Sequence, residues 1–201
     1  MRVTAQVQAA TREKILEVAR QLFASQGFHA TTTRDIARAA GLATGTMFNY
    51  FSSKEAIVGS LASEALAEVR TNFDPSNSGS SFEEDLFAFV AAGLRKLKPL
   101  RKHLPALLGT MLSPACIKED EDISFLRASH LDVVAELANR RGVGELPAMA
   151  EQMYWSLYTG LLLFWASDTS PQQEDTLALL DGSLEMFVSW LLSKPGQKEK
   201  E

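Results

Sequence analysis

The chain has 201 residues, of which 46% are hydrophobic, and a formal net charge of −5 at pH 7. That apolar fraction is typical of a globular protein and excludes a disordered chain as the default. The longest apolar run, Leu161 to Ala166, is far shorter than the roughly 18 residues of a membrane span, and the first residues lack the apolar core of a signal peptide. With a single cysteine, Cys116, and therefore no internal disulfide, these features favour the cytoplasm.

Helical patterns dominate from the start of the chain. The first predicted helix begins at Thr11, as N-cap, and runs to about Gln26, with Gly27 as its stop. An apolar stripe at helical spacing supports it: Ile15, Val18, Ala19, Leu22 and Phe23.

Two short helical patterns joined at Gly41 follow. The first begins at Thr32, with Asp35 at capping-box spacing. The second runs from about Thr44 to Phe51 and has Met47 and Phe51 as its apolar anchor. Two short helices of this kind predict a helix-turn-helix, a unit that places one helix end in a DNA major groove.

The second short helix carries the candidate DNA contacts. Thr44 and Thr46 lie in its first turn, where helix N–H groups attract phosphate oxygens, and Gly45 allows a close approach of the backbone. Asn49 can bridge the N6 and N7 edge of adenine or bond a phosphate. Three further side chains have the reach for DNA: Arg34, Tyr50 and Lys54. Each residue alone is more often a cap or a solvated side chain, so the prediction rests on their occurrence together.

The charges support this reading. Residues 1–55 hold seven basic and four acidic side chains, a net charge of +3, whereas the rest of the chain has a net charge of −8. A basic head on an acidic body is expected when only the head meets phosphates. Chance and solvated faces are the alternative explanation, because the excess is small.

The remainder of the chain is predicted to be helical as well. A fourth helix begins at Ser52, with Glu55 three residues on, and leads into a linker at 74–81. We predict an all-α fold of about nine helices, with a DNA-binding domain at 1–52 and a body at 53–201. Ser170 and Gln173 are predicted to form a capping box around Pro171. The predicted body helices are 82–100, 104–112, 121–141, 147–167 and 171–193.

The segment GFHATTTRDIARAAGLATGTMFNYFSSKEAI resembles the N-terminal domain of TetR-family transcriptional regulators. The resemblance covers roughly residues 11–60. It implies a three-helix DNA-binding head, an all-helical body for ligand binding and dimerisation, and a palindromic operator. The DNA-facing positions that it implies are Arg34, Thr44, Thr46, Phe48, Asn49, Tyr50 and Lys54.

Two positions depart from the family pattern. Phe48 stands where the family usually has Tyr, so a hydroxyl bond to phosphate is lost and the ring would pack on sugar or on a thymine methyl. Ala43 stands where a Ser usually caps the recognition helix, which leaves Thr44 as the alternative cap.

The last two predicted helices are the most apolar. Burial in the core of one chain is one explanation, and a four-helix interface with a second copy is the other, which the resemblance favours. The residues predicted for this dimer interface are Leu157, Gly160, Leu161, Phe164, Leu177, Leu180, Leu184, Phe187 and Leu191.

An effector pocket is expected between the middle helices. Aromatic and Met side chains with few polar groups suit an apolar or aromatic effector, although ordinary core is the alternative for each. The candidate lining residues are Phe87, Leu94, Leu108, Met111, Phe125, Trp155, Tyr158 and Thr159. The basic residues from Arg95 to His103 are interpreted as a solvated helix end, or else as a grip on an anionic effector or on the DNA flank.

Neither the histidines nor Cys116 has metal-ligand spacing, and no phosphate loop or nucleophile motif is present, so we expect no metal, no cofactor and no enzyme activity. The prediction is a dimeric, DNA-binding repressor released from its operator by a small, largely apolar effector. The alternatives are a DNA-binding regulator without a small-molecule effector, controlled by a protein or acting as an activator, and an all-helical enzyme.

Overall fold

The computed structural model describes residues 5–77, 80–105, 108 and 121–193. Over these ranges the chain forms eight α-helices and no strand, which confirms the all-α prediction. Three short 3-10 helices accompany them, at Pro75–Asn77, Lys98–His103 and Pro171–Gln173. The α-helices are α1 (Ala5–Gln26), α2 (Thr33–Ala39), α3 (Thr44–Phe48), α4 (Lys54–Asn72), α5 (Phe82–Leu97), α6 (Glu121–Arg140), α7 (Ala148–Ser167) and α8 (Glu174–Ser193). Most of the predicted helix at 104–112 and part of the predicted linker lie outside the described residues.

The chain divides into two compact units, Met1–Glu64 and Ala65–Glu201. The first unit, called the head below, therefore contains α1 to α3 and the first part of α4. The second unit, the body, begins within α4. The functional border after residue 52 remains a prediction.

The head is built on apolar residues from all four of its helices. Its core includes Ile15, Leu16, Ala19 and Phe23 from α1, Ile36 and Ala37 from α2, Met47 from α3, and Ile57, Val58 and Leu61 from α4. The predicted start of α1 was wrong: the helix begins at Ala5, and the Thr11 hydroxyl donates to the carbonyl oxygen of Val7 at 2.8 Å. Thr11 thus bonds back into its own helix instead of capping it.

Capping residues explain where the next helices start. The predicted box at α2 is confirmed, since the Thr32 hydroxyl accepts from the Asp35 amide at 3.1 Å and the Asp35 carboxylate accepts from the Thr32 amide at 3.0 Å. The hydrogen bonds from Thr32 hold the pKa of Asp35 below its usual value. For α4 the cap is Ser53, whose hydroxyl accepts from the Ala56 amide at 3.1 Å, one residue after the predicted Ser52.

The body has a core shared by α5, α7 and α8. Buried side chains on these helices include Leu86, Phe89, Tyr154, Trp165, Leu184 and Phe187. A fully buried carboxylate lies at its edge: Arg141 donates from Nε to Asp85 at 2.6 Å and from a second nitrogen at 2.9 Å. This bidentate pair joins α5 to the residue that follows α6.

The junction between α7 and α8 differs from the predicted capping box. The Ser170 side chain makes no cap hydrogen bond for the 3-10 helix, and Gln173 accepts from the indole N–H of Trp165 at 2.7 Å. Asp168 organises the junction, because its carboxylate accepts from the amides of Ser170 at 2.7 Å and Thr176 at 3.1 Å. The hydrogen bond from the Thr176 hydroxyl, together with those from Ser170 and from the Thr176 amide, lowers the pKa of Asp168 to about 2.

Candidate nucleic-acid interface and body surfaces

The α3 helix has one buried and one exposed side. Met47 and the following Phe51 are buried at 0% and 3% exposure and fix the helix to the core. Among the other residues of this segment, Gly45, Thr46 and Asn49 are exposed, Phe48 is 48% exposed, and Thr44 and Tyr50 are half-buried. The predicted contact residues of this helix are thus accessible to solvent at least in part, and their contact with DNA stays a prediction.

The side chains of this surface are available to a ligand. Ala43 is the N-cap of α3 and contributes no side-chain hydrogen bond. Within the described part of the chain, Thr44 and Thr46 make no hydroxyl hydrogen bond, so Thr44 does not replace the missing cap. Thr44, Thr46 and Asn49 thus present unengaged polar groups near the start and end of a short helix.

Two arginines on α2 differ in their partners. Arg38 is held by Asp35, with 2.9 Å between its nitrogen and the carboxylate oxygen. Arg34 is exposed, and no ion pair engages it among the residues of the described head. Arg34 is therefore the arginine of α2 that no carboxylate of the described head engages, and its contact with a phosphate or a base edge stays a prediction.

Lys54, predicted to contact DNA, has partners within the head. Its ammonium group donates to the carbonyl oxygens of Phe28 at 2.8 Å and Thr31 at 2.7 Å, and lies 4.4 Å from the centroid of the Phe28 ring. Lys54 therefore ties the start of α4 to the segment between α1 and α2. A phosphate contact by its remaining N–H stays a prediction. Sequence reasoning missed this role because the acceptors are backbone carbonyls, which leave no residue-type signal.

The first part of α4 is also tied to α1. Arg12 donates to the Ser60 hydroxyl at 2.9 Å and lies over the Phe51 ring at 5.2 Å. Glu64 lies 3.8 Å from Arg12 and 3.4 Å from Arg20. The two ion pairs are exposed and weak individually, yet they join α1 and α4 at several points.

In the body, His130 lies at the centre of an aromatic cluster that sequence reasoning missed. Its ring stacks on Tyr158 at 4.2 Å between centroids and lies 5.0 Å from Phe89, and its Nε2 is 3.0 Å from the Tyr154 hydroxyl. Burial lowers the pKa of His130 to about 3, so that the imidazole is neutral at pH 7.

The effector pocket between the middle helices stays a prediction, because part of its predicted lining lies outside the described residues. Leu94, Leu108 and Tyr158 are buried, and Phe87, Trp155 and Thr159 are half-buried. The cavity next to Tyr158 measures ≈ 10 Å³, at the limit for one water molecule. Phe125 is 63% exposed and is no lining residue of this cavity, while Met111, like Cys116, lies outside the described residues.

A larger opening lies elsewhere in the body. A groove of ≈ 640 Å³ follows the end of α4 and one side of α5. Both apolar and charged side chains line the groove, and two of the charged ones, Lys96 and Glu68, form an ion pair. Arg95 and Lys96 belong to the basic cluster for which a grip on an anion was the alternative prediction, and the other lining residues were not predicted. The lining residues are Glu68, Val69, Asn72, Phe73, Asp74, Ala88, Ala92, Arg95 and Lys96.

The basic residues from Arg95 to His103 do not act as one group. Arg101 donates from Nε to the Trp165 carbonyl at 2.7 Å and also donates to the Asp168 carbonyl. It therefore caps the C-terminal end of α7, and the interpretation as a solvated helix end was wrong for this residue. Lys96 is engaged by Glu68, and His103 is buried.

The apolar residues of α8 form two separate stripes, one buried in the core and one exposed. Five of the predicted interface residues are buried in the core of the chain itself: Leu161, Leu180, Leu184, Phe187 and Leu191. Gly160, Phe164 and Leu177 are exposed, and Leu157 is half-buried. A second α8 stripe, with Leu179 at 41%, Gly182, and Met186 at 59% exposure, faces outward. The seven-residue spacing of Leu179 and Met186 was the signal that sequence reasoning passed over.

The segment Pro171–Ser193 is long and apolar enough to cross a membrane by length and composition alone, with a mean hydropathy of 1.2 over its most apolar window, of which 33% is buried. Core helices of soluble proteins meet the same criteria, so the finding is weak evidence for a membrane span.

The head matches a known family. The family model described as "Bacterial regulatory proteins, tetR family" matches residues 15–61. The repressor KstR2 of Rhodococcus jostii is 49% identical over 47 residues, a match that covers 23% of each chain. The chain thus matches about a quarter of the length of that repressor, within the head.

Two other similarities extend over most of the chain. The uncharacterised regulator YhgD of Bacillus subtilis is 26% identical over 185 residues, which are 88% of this chain and 94% of that protein. The structure of Thermus thermophilus FadR, a TetR-family repressor in complex with lauroyl-CoA, superposes with a TM-score of 0.69 at 24% identity and covers 94% of this chain and 100% of that one. The relatives are transcriptional regulators, in agreement with the expectation of a non-enzyme.

Proposed function

We propose that this chain belongs to the TetR family of bacterial regulatory proteins and is a dimeric transcriptional repressor that is released from a palindromic operator by a small effector. The observation that carries the proposal is the α2–α3 unit, in which buried Met47 and Phe51 anchor α3 while Thr46 and Asn49 lie exposed beside it. Anchored on one side and polar on the other, α3 is suited to enter a major groove. Because its target is DNA, we place the protein in the bacterial cytoplasm.

The outward stripe of α8 supports the dimer. Leu179 and Met186 expose apolar surface on both sides of Gly182, where no atom lies within 4 Å of the position of an added Cβ. Packing this stripe against a second copy about a twofold axis would remove apolar surface from water. The two heads would then address half-sites about one helical turn apart, some 34–36 Å.

The groove along α4 and α5 is our proposed effector site. Val69, Phe73 and Ala92 offer an apolar wall, and Arg95 offers a cation at its margin. An effector with an apolar body and an anionic head fits both features. Thermus FadR, with the same fold, was solved with lauroyl-CoA, which has such a composition.

The proposed mechanism follows from the position of α4. Its residues after Glu64 border the groove, and its earlier residues belong to the head. An effector that shifts α4 would change the spacing of the two recognition helices. A coupling free energy of about 1–3 kcal/mol would weaken operator binding about 5- to 150-fold.

The second candidate function is a DNA-binding regulator without a small-molecule effector, controlled by a protein partner or acting as an activator. The specific observation in its favour is the tight packing around Tyr158, where the cavity of ≈ 10 Å³ is too small for an organic molecule. An all-helical enzyme is disfavoured because the relatives are regulators.

The first experiment tests DNA binding and the dimer together. Duplexes enriched from a random library by the purified chain are expected to contain an inverted repeat, and Met186→Glu is expected to yield monomers with weak operator binding. Phe125→Glu is the matched control, since Phe125 is similarly exposed, at 63% against 59%, but lies on α6. Sedimentation equilibrium measures the mass. A Met186→Glu protein that remains a dimer would contradict the proposed interface.

The second experiment tests the effector. Saturated fatty acids and their CoA thioesters of increasing length are titrated against the operator complex, for the unaltered chain and for Ala92→Phe, which fills the groove. Release that is lost in Ala92→Phe supports the groove as the site. If no ligand releases the complex, or if Ala92→Phe responds normally, the groove proposal fails and the regulator without a small-molecule effector gains support.

A further inference from the structure

Phe48 is an apolar side chain that the head leaves in contact with solvent. It is 48% exposed, whereas its neighbours Met47 and Phe51 are exposed by 0% and 3%. Within the described head, no ring contact engages Phe48, although Phe28 packs against Phe23 at 5.3 Å. Phe48 therefore contributes little to the core, and its exposure calls for another explanation.

The position of Phe48 relates it to the exposed side of α3. It follows Gly45 by three residues and Thr44 by four, so that all three share neighbouring positions around the helix. An added Cβ on Gly45 would meet no atom within 4 Å, and Gly45 is exposed. The ring thus stands next to open space, at the margin of the polar surface formed by Thr46 and Asn49.

The chemistry of a phenyl ring restricts what it recognises in a duplex. It neither donates nor accepts a strong hydrogen bond, so it does not distinguish the polar edges of the bases. The major groove presents one apolar group, the C5-methyl of thymine, which side chains such as Phe contact. We propose that Phe48 selects a thymine in each operator half-site by packing against its C5-methyl group. This inference rests on the proposed function, since it requires that α3 enters the major groove.

Uracil provides the test, because it differs from thymine in a duplex only by the absence of that methyl group. Two random duplex libraries, one made with thymine and one with uracil, are enriched in parallel with the full chain. In the thymine library, one thymine per half-site is expected to be preferred, and that preference is expected to disappear in the uracil library. Positions read by hydrogen bonds are expected to be the same in both libraries.

The selected operator then allows a quantitative comparison. Replacing the chosen thymine by uracil in both half-sites is expected to weaken binding of the unaltered chain about fourfold per half-site, the size expected for one buried methyl group. Phe48→Ala is expected to bind the thymine and uracil operators equally, and Phe48→Tyr, which keeps the ring, to retain the ratio. Asn49→Ala is the matched control on the same surface, and its thymine-to-uracil ratio is expected to remain that of the unaltered chain.

The outcomes separate this inference from the function on which it rests. Equal binding of thymine and uracil operators by the unaltered chain would overturn the role of Phe48 while leaving an enriched operator in hand, as would a Phe48→Ala protein that retains the ratio. A Phe48 ring that packs only on sugar would give equal binding of the thymine and uracil operators by the unaltered chain. If the unaltered chain enriches no sequence at all, the proposed function fails and the inference falls with it.

Discussion

The hydrogen bonds that Lys54 makes inside the head give a prediction for the stability of the head. Lys54→Met keeps most of the length of the side chain and removes the ammonium group, which donates to the carbonyls of Phe28 and Thr31 at 2.8 and 2.7 Å. A hydrogen bond to a charged group contributes about 1.5–3 kcal/mol. The interaction with the Phe28 ring, at 4.4 Å, adds about 0.5–1 kcal/mol. Because Lys54 is only half-buried, we expect a loss of about 2–4 kcal/mol in the free energy of unfolding of the head.

Hydrogen exchange monitored by mass spectrometry is the appropriate assay, because it reads the head separately from the body. For the amides of residues 27–39, a loss of this size accelerates exchange roughly 30- to 1,000-fold where exchange follows unfolding of the head. Lys14→Met is the matched control, since Lys14 is an exposed lysine on α1. If Lys54→Met exchanges like Lys14→Met, and instead lowers the salt slope of DNA binding by about one unit, Lys54 acts on phosphate and the structural reasoning is refuted.

Three further predictions concern stability. Asp85→Asn breaks the buried pair with Arg141 and is expected to lower the free energy of unfolding of the body by about 3 kcal/mol. Urea titration measures this loss through the fluorescence of the three tryptophans, all of which lie in the body, and an unchanged midpoint would contradict the prediction. Because the pKa of Asp168 is lowered from 3.8 to about 2 in the folded chain, its stabilising effect is present above about pH 4 and is lost as the pH falls towards 2. Asp168→Asn should therefore show a shallower decline of Tm over that interval, and parallel curves would argue against the assignment. Thr32→Ala removes one side of a capping box and is expected to cost about 1 kcal/mol, seen as faster amide exchange in α2.

The head could be predicted in detail because its signals are local. The box of Thr32 and Asp35 and the anchor of Met47 and Phe51 depend on spacings of three and four residues, and the structure contains both. One error arose where equivalent residues compete, at Ser52 and Ser53, either of which can cap α4. The other arose at Thr11, whose hydroxyl bonds back into α1 and does not cap it. The role of Lys54 was not predictable, since it depends on carbonyls 23 and 26 positions away.

The body could be predicted less well, because its residues depend on which face of a helix meets which neighbour. The periodicity of α8 identifies an amphipathic helix correctly, yet Leu180 and Leu184 point into the core and Leu179 and Met186 outward, a choice that depends on α5 and α7. The residues next to His130 in the sequence do not indicate an aromatic cluster, because its aromatic partners come from α5 and α7. The groove along α4 and α5 was not predictable as a cavity, since its lining residues follow no periodic pattern in the sequence.

The outward stripe of α8 also has a genetic consequence. Because Leu179 and Met186 belong to the body while Thr46 and Asn49 belong to the head, a chain with a damaged head keeps the surface that we propose for pairing. In a cell that carries both alleles, such subunits would combine with intact ones and leave them with one functional recognition helix per pair. Loss-of-function alleles in the head are therefore expected to be dominant, whereas alleles that also carry Met186→Glu are expected to be recessive.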